Sequence, residues 1–228
     1  MGSDSVQRVA KSAETRSLIV TTAMRLFTEN GYDRTTMRAI ATEAGVSVGN
    51  AYYYFSSKEQ LIQGFYDEIA REHLTAARER IADVPDFGAR LREVLLCWLD
   101  IAEPYHRFGT QFFVNAADPE SPLSPFSDDS SAARESSIGL MREVIEDSDV
   151  KIDPELRDQL PELLWLYQMG IVLFWVHDRS ARTKRTRMLV ERSVPLIAKL
   201  AGLSRLRVFR PVSREIVTLI QDLAKKDS

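Results

Sequence analysis

Between residues 35 and 58 the chain gathers side chains that can grip a polyanion and read the edge of a base. Thr35, Thr36 and Ser47 offer hydroxyls, Arg38 a guanidinium, Asn50 an amide, Tyr52, Tyr53 and Tyr54 phenols, and Lys58 an ammonium. Hydroxyls, phenols and cations hold phosphate oxygens, which fixes position without reading sequence. Asn50 can bond a base edge, Val48 can meet a thymine methyl, and Arg38 is long enough for a phosphate or the O6/N7 edge of guanine. Gly49 between them lets the backbone come close. Catalytic spacing is missing by contrast. His73, His106 and His177 lie far apart, and the chain has no H-E-x-x-H, no C-x-x-C and no glycine-rich phosphate loop after a strand. No metal or cofactor is expected, and an enzyme working in the aromatic second half would lack a paired nucleophile and base.

Two short helices at a tight corner would position the phosphate and base contacts. Ile40, Ala41 and Ala44 share a face, Gly45 stops the first helix at a point that needs positive φ, Val46 anchors the turn, and Ser47 caps a second helix. A small residue where two helices cross and a glycine at the corner give the spacing of a helix-turn-helix, whose second helix can enter the major groove. Tyr52, Tyr53, Tyr54 and Phe55 cover a whole helical turn, so they cannot all be core; Tyr52 and Tyr54 are expected on phosphates. Upstream, residues 14–30 form a helix striped by Ile19, Ala23, Leu26 and Phe27, and Gly31 ends it. Thr35 and Thr36 both offer a cap for the next helix. Residues 56–59 open a fourth helix, where free N–H groups and Lys58 would make a second phosphate site. Residues 1–13 read as a flexible arm whose Arg8 and Lys11 could touch DNA.

The pattern from about residue 15 to 61 resembles the N-terminal domain of the tetracycline-repressor family of bacterial regulators. Its marks are Phe27, Gly31 and Tyr32, then Thr35 and Thr36, then I-A-x-x-A-G-V-S, then Y-Y-Y-F, then Lys58, Glu59 and Leu61. The resemblance implies an all-α protein with a three-helix DNA-binding head at 14–56 and a helical ligand-binding and dimerisation domain at 57–228. It also implies a homodimer formed through the penultimate helices, here near 154–203. An additional amphipathic helix at 213–224 departs from the simplest family pattern.

The totals agree with such an assignment. The chain has 228 residues and a net charge of −3, while seven basic and five acidic side chains through Lys58 leave the head at +2. A local basic patch suffices for DNA. The lone Cys97 excludes an internal disulfide and suits a reducing cytoplasm. No apolar run reaches the ~20 residues that span a bilayer, and the polar N-terminus does not read as a signal peptide, so no membrane partner is expected.

Beyond residue 57 the pattern is helical stripes alone, for about ten helices in the whole chain. They include a long helix to about residue 82, a short one at 105–117, and one at 154–177 that is apolar almost all round and must be covered on both sides. Trp98, Phe108, Phe112, Phe113, Met141, Trp165, Met169 and Phe174, with His177 as a polar handle, would line a pocket for a hydrophobic small molecule. The expected function is a transcriptional repressor on a palindromic double-stranded operator, released by that molecule; the alternative is an architectural or protein-controlled DNA binder without a ligand.

Overall fold

A computed structural model describes residues 3–106, 109, 120–206, 215 and 218. These residues form eight α-helices and no strand: α1 (Ser3–Asn30), α2 (Met37–Glu43), α3 (Val48–Tyr54), α4 (Lys58–Ile81), α5 (Phe87–Ala102), α6 (Ser131–Glu146), α7 (Pro154–His177) and α8 (Lys184–Leu203). The all-α expectation holds. The count among the described residues is eight and not the ten expected, and the helices expected at 105–117 and 213–224 fall largely outside the described residues.

Two compact units emerge, residues 1–71 with 104–133, and residues 72–103 with 134–228. In the first, Ile19, Ala23 and Phe27 of α1 meet Ile40 and Ala41 of α2, Ala51 of α3, and Leu61 and Ile62 of α4 in one apolar cluster. Its corners are set locally. Thr36 caps α2 by accepting from the Ala39 N–H at 3.2 Å, Ser47 caps α3 by accepting from Asn50 N–H at 3.0 Å, and Gly45 turns between them at φ +67°. Gly64 has a packing reason instead. A β-carbon there would stand 2.8 Å from Cε1 of the Phe55 ring, which α4 must admit.

This unit differs from the head expected at 14–56. The arm expected at 1–13 is helical from Ser3, as the absence of Gly and Pro from residues 3–30 permits. The start of α4 and the 104–133 segment also pack into it. Phe65 and Tyr105 meet edge to face at 4.7 Å, Gln63 Nε2 donates to the Asp129 carbonyl at 3.3 Å, and Leu123 joins the core cluster.

In the second unit α5 packs chiefly on α8, and α7 also packs on α8. Arg90, 3% exposed, donates Nη1 to the Ile81 and Val84 carbonyls at 2.9 Å each and Nη2 to Glu143 O at 3.0 Å. One buried cation thereby closes the carbonyl ends of α4 and α6. Asp178 does the reverse at the α7–α8 corner. It accepts from Ser180 N–H at 2.9 Å and from both N–H and hydroxyl of Thr186 at 2.8 Å. Burial alone would raise its pKa, but these hydrogen bonds outweigh it and hold the carboxyl down at about 2. The corner it holds is strained, with Arg182 and Thr183 at φ 52° and 49°.

Candidate nucleic-acid interface

Helix α3 is only seven residues long, and its sequence divides it sharply. Ala51 is fully buried against the core and Phe55 just beyond is 2% exposed, which turns Ser47, Gly49, Asn50, Tyr52 and Tyr53 outward. Tyr53 is 81% exposed and Tyr52 50%. Thr36 and Arg38 at the start of α2 are exposed as well. The open face thus presents an amide, two phenols, a guanidinium and two capping hydroxyls, beside a glycine whose missing β-carbon would meet nothing within 4 Å.

Other residues expected on this face are turned elsewhere. Thr35 is buried and its hydroxyl lies near the Leu26 and Gly31 carbonyls, at 3.2 and 2.9 Å, so it locks the turn to α1 and neither caps α2 nor faces a phosphate. Val48 is half-buried against the core cluster. Tyr54, expected on a phosphate, also packs on that cluster, and its hydroxyl shares a 3.1 Å hydrogen bond with Ser12 of α1. Lys58 is half-buried. Its ammonium donates to the Tyr32 carbonyl at 2.8 Å and lies 4.0 Å from the centre of the Tyr32 ring, while the Tyr32 hydroxyl donates to Glu59 at 2.7 Å. That hydrogen bond is the main cause of the lowered Glu59 pKa, and burial is the main cause of the raised Tyr32 pKa. At the start of α4, Ser56 N–H donates to Gln60 Oε1 at 2.9 Å and Gln60 N–H to Ser57 Oγ at 3.3 Å, so part of the expected second phosphate site serves the helix itself.

Two residues of this region escaped the sequence reading. Ser12 steadies α3 through Tyr54 from 42 residues away, and nothing local signals it. Arg34 is exposed in the turn before α2 with Nε bonded to Asn30 O at 2.7 Å; its charge beside the Thr36 cap was the available sign.

The residues expected to bind a ligand lie within the second unit, apart from Phe108, Phe112 and Phe113, which are outside the described residues. Met141 and Trp165 are buried, and the Trp98 ring meets Trp175 edge to face at 5.2 Å and 78°. Met169 and Phe174 are half-buried, with the Arg185 guanidinium 6.0 Å from the Phe174 ring centre. His177 is exposed at the end of α7, where its Nδ1 bonds the Leu173 carbonyl at 2.9 Å; it stands on the surface and not inside as a polar handle. A cleft of about 470 Å³ does open in this unit, but Arg78, Val84, Pro85, Arg90, Glu143 and Asp147 line it, and none of the aromatic residues does. No group of His, Cys, Asp or Glu among the described residues could hold a metal, and no described helix is long and apolar enough to cross a membrane.

Among the described residues of this unit, α7 and α8 carry several exposed large apolar side chains. Leu166 and Leu173 on α7 and Met188, Leu196 and Leu200 on α8 are all more than 40% exposed. Gly170 lies between the two α7 leucines on the same row, and a β-carbon there would meet nothing within 4 Å.

Known proteins share this arrangement. The family described as "Bacterial regulatory proteins, tetR family" matches residues 19–64, and "Tetracyclin repressor-like, C-terminal domain" matches residues 90–218. The HTH-type transcriptional regulator TtgR of Pseudomonas putida is 37% identical over 94 residues, covering 40% of this chain and 44% of TtgR. The probable acrEF/envCD operon repressor of Escherichia coli K12 is 33% identical over 96 residues, covering 40% of this chain and 41% of its own. The chain thus spans less than half the length of these curated relatives in the matched region. Among solved structures, a TetR transcriptional regulator from Nitrosomonas europaea superposes with a TM-score of 0.63 at 19% identity, over 79% of this chain and 96% of that one. Thermus thermophilus FadR, a repressor crystallised with lauroyl-CoA, gives 0.58 at 18% identity, over 83% and 96%. With a family match that runs across more than half its length, and a second match over the helix-turn-helix, the chain belongs to the tetracycline-repressor family of bacterial regulatory proteins.

Proposed function

We propose that this protein is a cytoplasmic, homodimeric transcriptional repressor that binds a palindromic operator and leaves it when a hydrophobic small molecule enters the second unit. The observation that carries the reading is α3, anchored by Ala51 and Phe55 with Asn50, Tyr52 and Tyr53 left open to solvent. Asn50 reads a base edge, Gly49 permits close approach, and Thr36, Arg38, Ser47, Tyr52 and Tyr53 hold phosphates, with Arg34 in support. Two copies of α3 about a two-fold axis read two half-sites one helical turn apart.

The exposed leucines of α7 and α8 favour these helices as the dimer seam, because apolar side chains on neighbouring helices gain most by meeting a second copy of themselves. Gly170 then marks the point of closest helix approach. An effector acts by favouring a dimer whose reading helices no longer match the operator, a coupling typically of about 1–3 kcal/mol. The buried Trp165, Trp175 and Met141 of the second unit suit an apolar effector, and the lauroyl-CoA bound by Thermus FadR has a long apolar part. The protein performs no catalysis in this scheme.

Selection of operator fragments from a random duplex library, followed by anisotropy titration, tests the reading. A two-fold symmetric consensus is expected for the wild type, and Asn50→Ala should blur it at specific positions. An unaltered consensus in that variant would remove α3 as the reading helix.

A further inference from the structure

Helix α7 carries a buried amide that its apolar surroundings do not account for. Gln168 lies on the same buried row as Leu164, Ile171 and Trp175 and is 2% exposed, yet its carbonyl oxygen Oε1 has no hydrogen-bond partner. Leaving such an acceptor dry and unpaired disfavours folding by about tenfold or more. Methionine or leucine would fill similar space with no such penalty. The amide therefore calls for a donor that arrives from outside the fold.

Its neighbours indicate what kind of molecule would bring one. Trp165 stands one turn before Gln168 and is 4% exposed, while Trp175, two turns beyond, meets Trp98 edge to face. Indole faces favour flat rings packed offset or edge-on, and a single acceptor among them favours a single O–H or N–H. A carboxylate of the same shape would set its own lone pairs against Oε1. Resting on the effector reading above, we infer that Gln168 selects an effector with an apolar, ring-containing body and one hydrogen-bond donor, of the phenol class. The donor is given to Oε1 and the ring lies among the tryptophans.

Three matched probes test this on the full-length protein bound to its selected operator: 1-naphthol, 1-methoxynaphthalene and naphthalene. In the wild type 1-naphthol should release the operator at about tenfold lower concentration than the other two, since they lack the donor. In Gln168→Met that preference should vanish while operator affinity without any probe stays as it was. The ligand-free variant should also melt at a higher temperature, because the unpaired carbonyl is gone. A lower melting temperature would show that Oε1 is already satisfied within the fold, and the assignment falls. Equal potency of the three probes overturns the assignment while leaving effector control standing. No release by any of them, or by a wider set of apolar compounds, removes both.

Discussion

In the first unit the helix-turn-helix caps are set by neighbours three residues away, whereas in the second several of the contacts that join helices link residues far apart in the chain. Ser47 caps through Asn50 and Thr36 through Ala39. In the second unit Arg90 reaches the Glu143 carbonyl, Arg187 pairs with Asp100, and Thr183 Oγ1 donates to Glu103, spans of 53, 87 and 80 residues. A helix-turn-helix corner built from local signals can keep its shape while the second unit is remodelled. The second unit, assembled from distant pieces, is the natural place for a ligand to alter packing.

The largest expected effect falls on the exposed leucines of α8. Leu196→Glu combined with Leu200→Glu should convert dimer to monomer by light scattering and weaken operator binding by about a hundredfold or more, with helicity kept, because both side chains are exposed in the single chain. Unchanged mass would move the dimer seam off α8.

Next comes acid stability. The folded pKa of Asp178 is depressed, so its contribution is fully present above the unfolded value near 4 and is lost as pH falls through about 2. This is worth about 2 kcal/mol by linkage. Asp178→Asn should flatten that acid limb in thermal melts taken between pH 5 and 2.

A smaller effect tests the head's packing. Gly64→Ala sets a methyl 2.8 Å from the Phe55 ring. Such overpacking costs about 1–3 kcal/mol, of which about 1 is recovered through alanine's helix propensity. Denaturant titration should show a net loss near the low end, while Gly170→Ala, with open space around it, should leave an isolated monomer unharmed. The smallest effect concerns Lys58. With its ammonium engaged by Tyr32, Lys58→Ala should flatten the salt dependence of DNA binding by less than the one unit a dedicated phosphate contact gives.

Legibility followed the same divide. The helix-turn-helix was readable because Gly45, Ser47 and the I-A-x-x-A spacing act within a few residues of themselves. Which of two adjacent threonines caps was not readable, since Thr35 is drawn inward by the Leu26 carbonyl. Nor was the partition of the tyrosines, since Ser12 decides it from a separate helix. The second unit's helices were legible as stripes, yet periodicity could not reveal Arg90 as a buried clamp, Gln168 as an isolated acceptor, or His177 as a surface residue. Each depends on what another helix places opposite.

The corner between α7 and α8 has one more implication. Two successive residues with side chains hold a backbone shape that glycine adopts freely, and each such residue costs of order 1 kcal/mol or more. A mutation that usually loosens a protein should toughen this one: Arg182→Gly is expected to raise the melting temperature, marking a spot where the native chain sits below its attainable ruggedness.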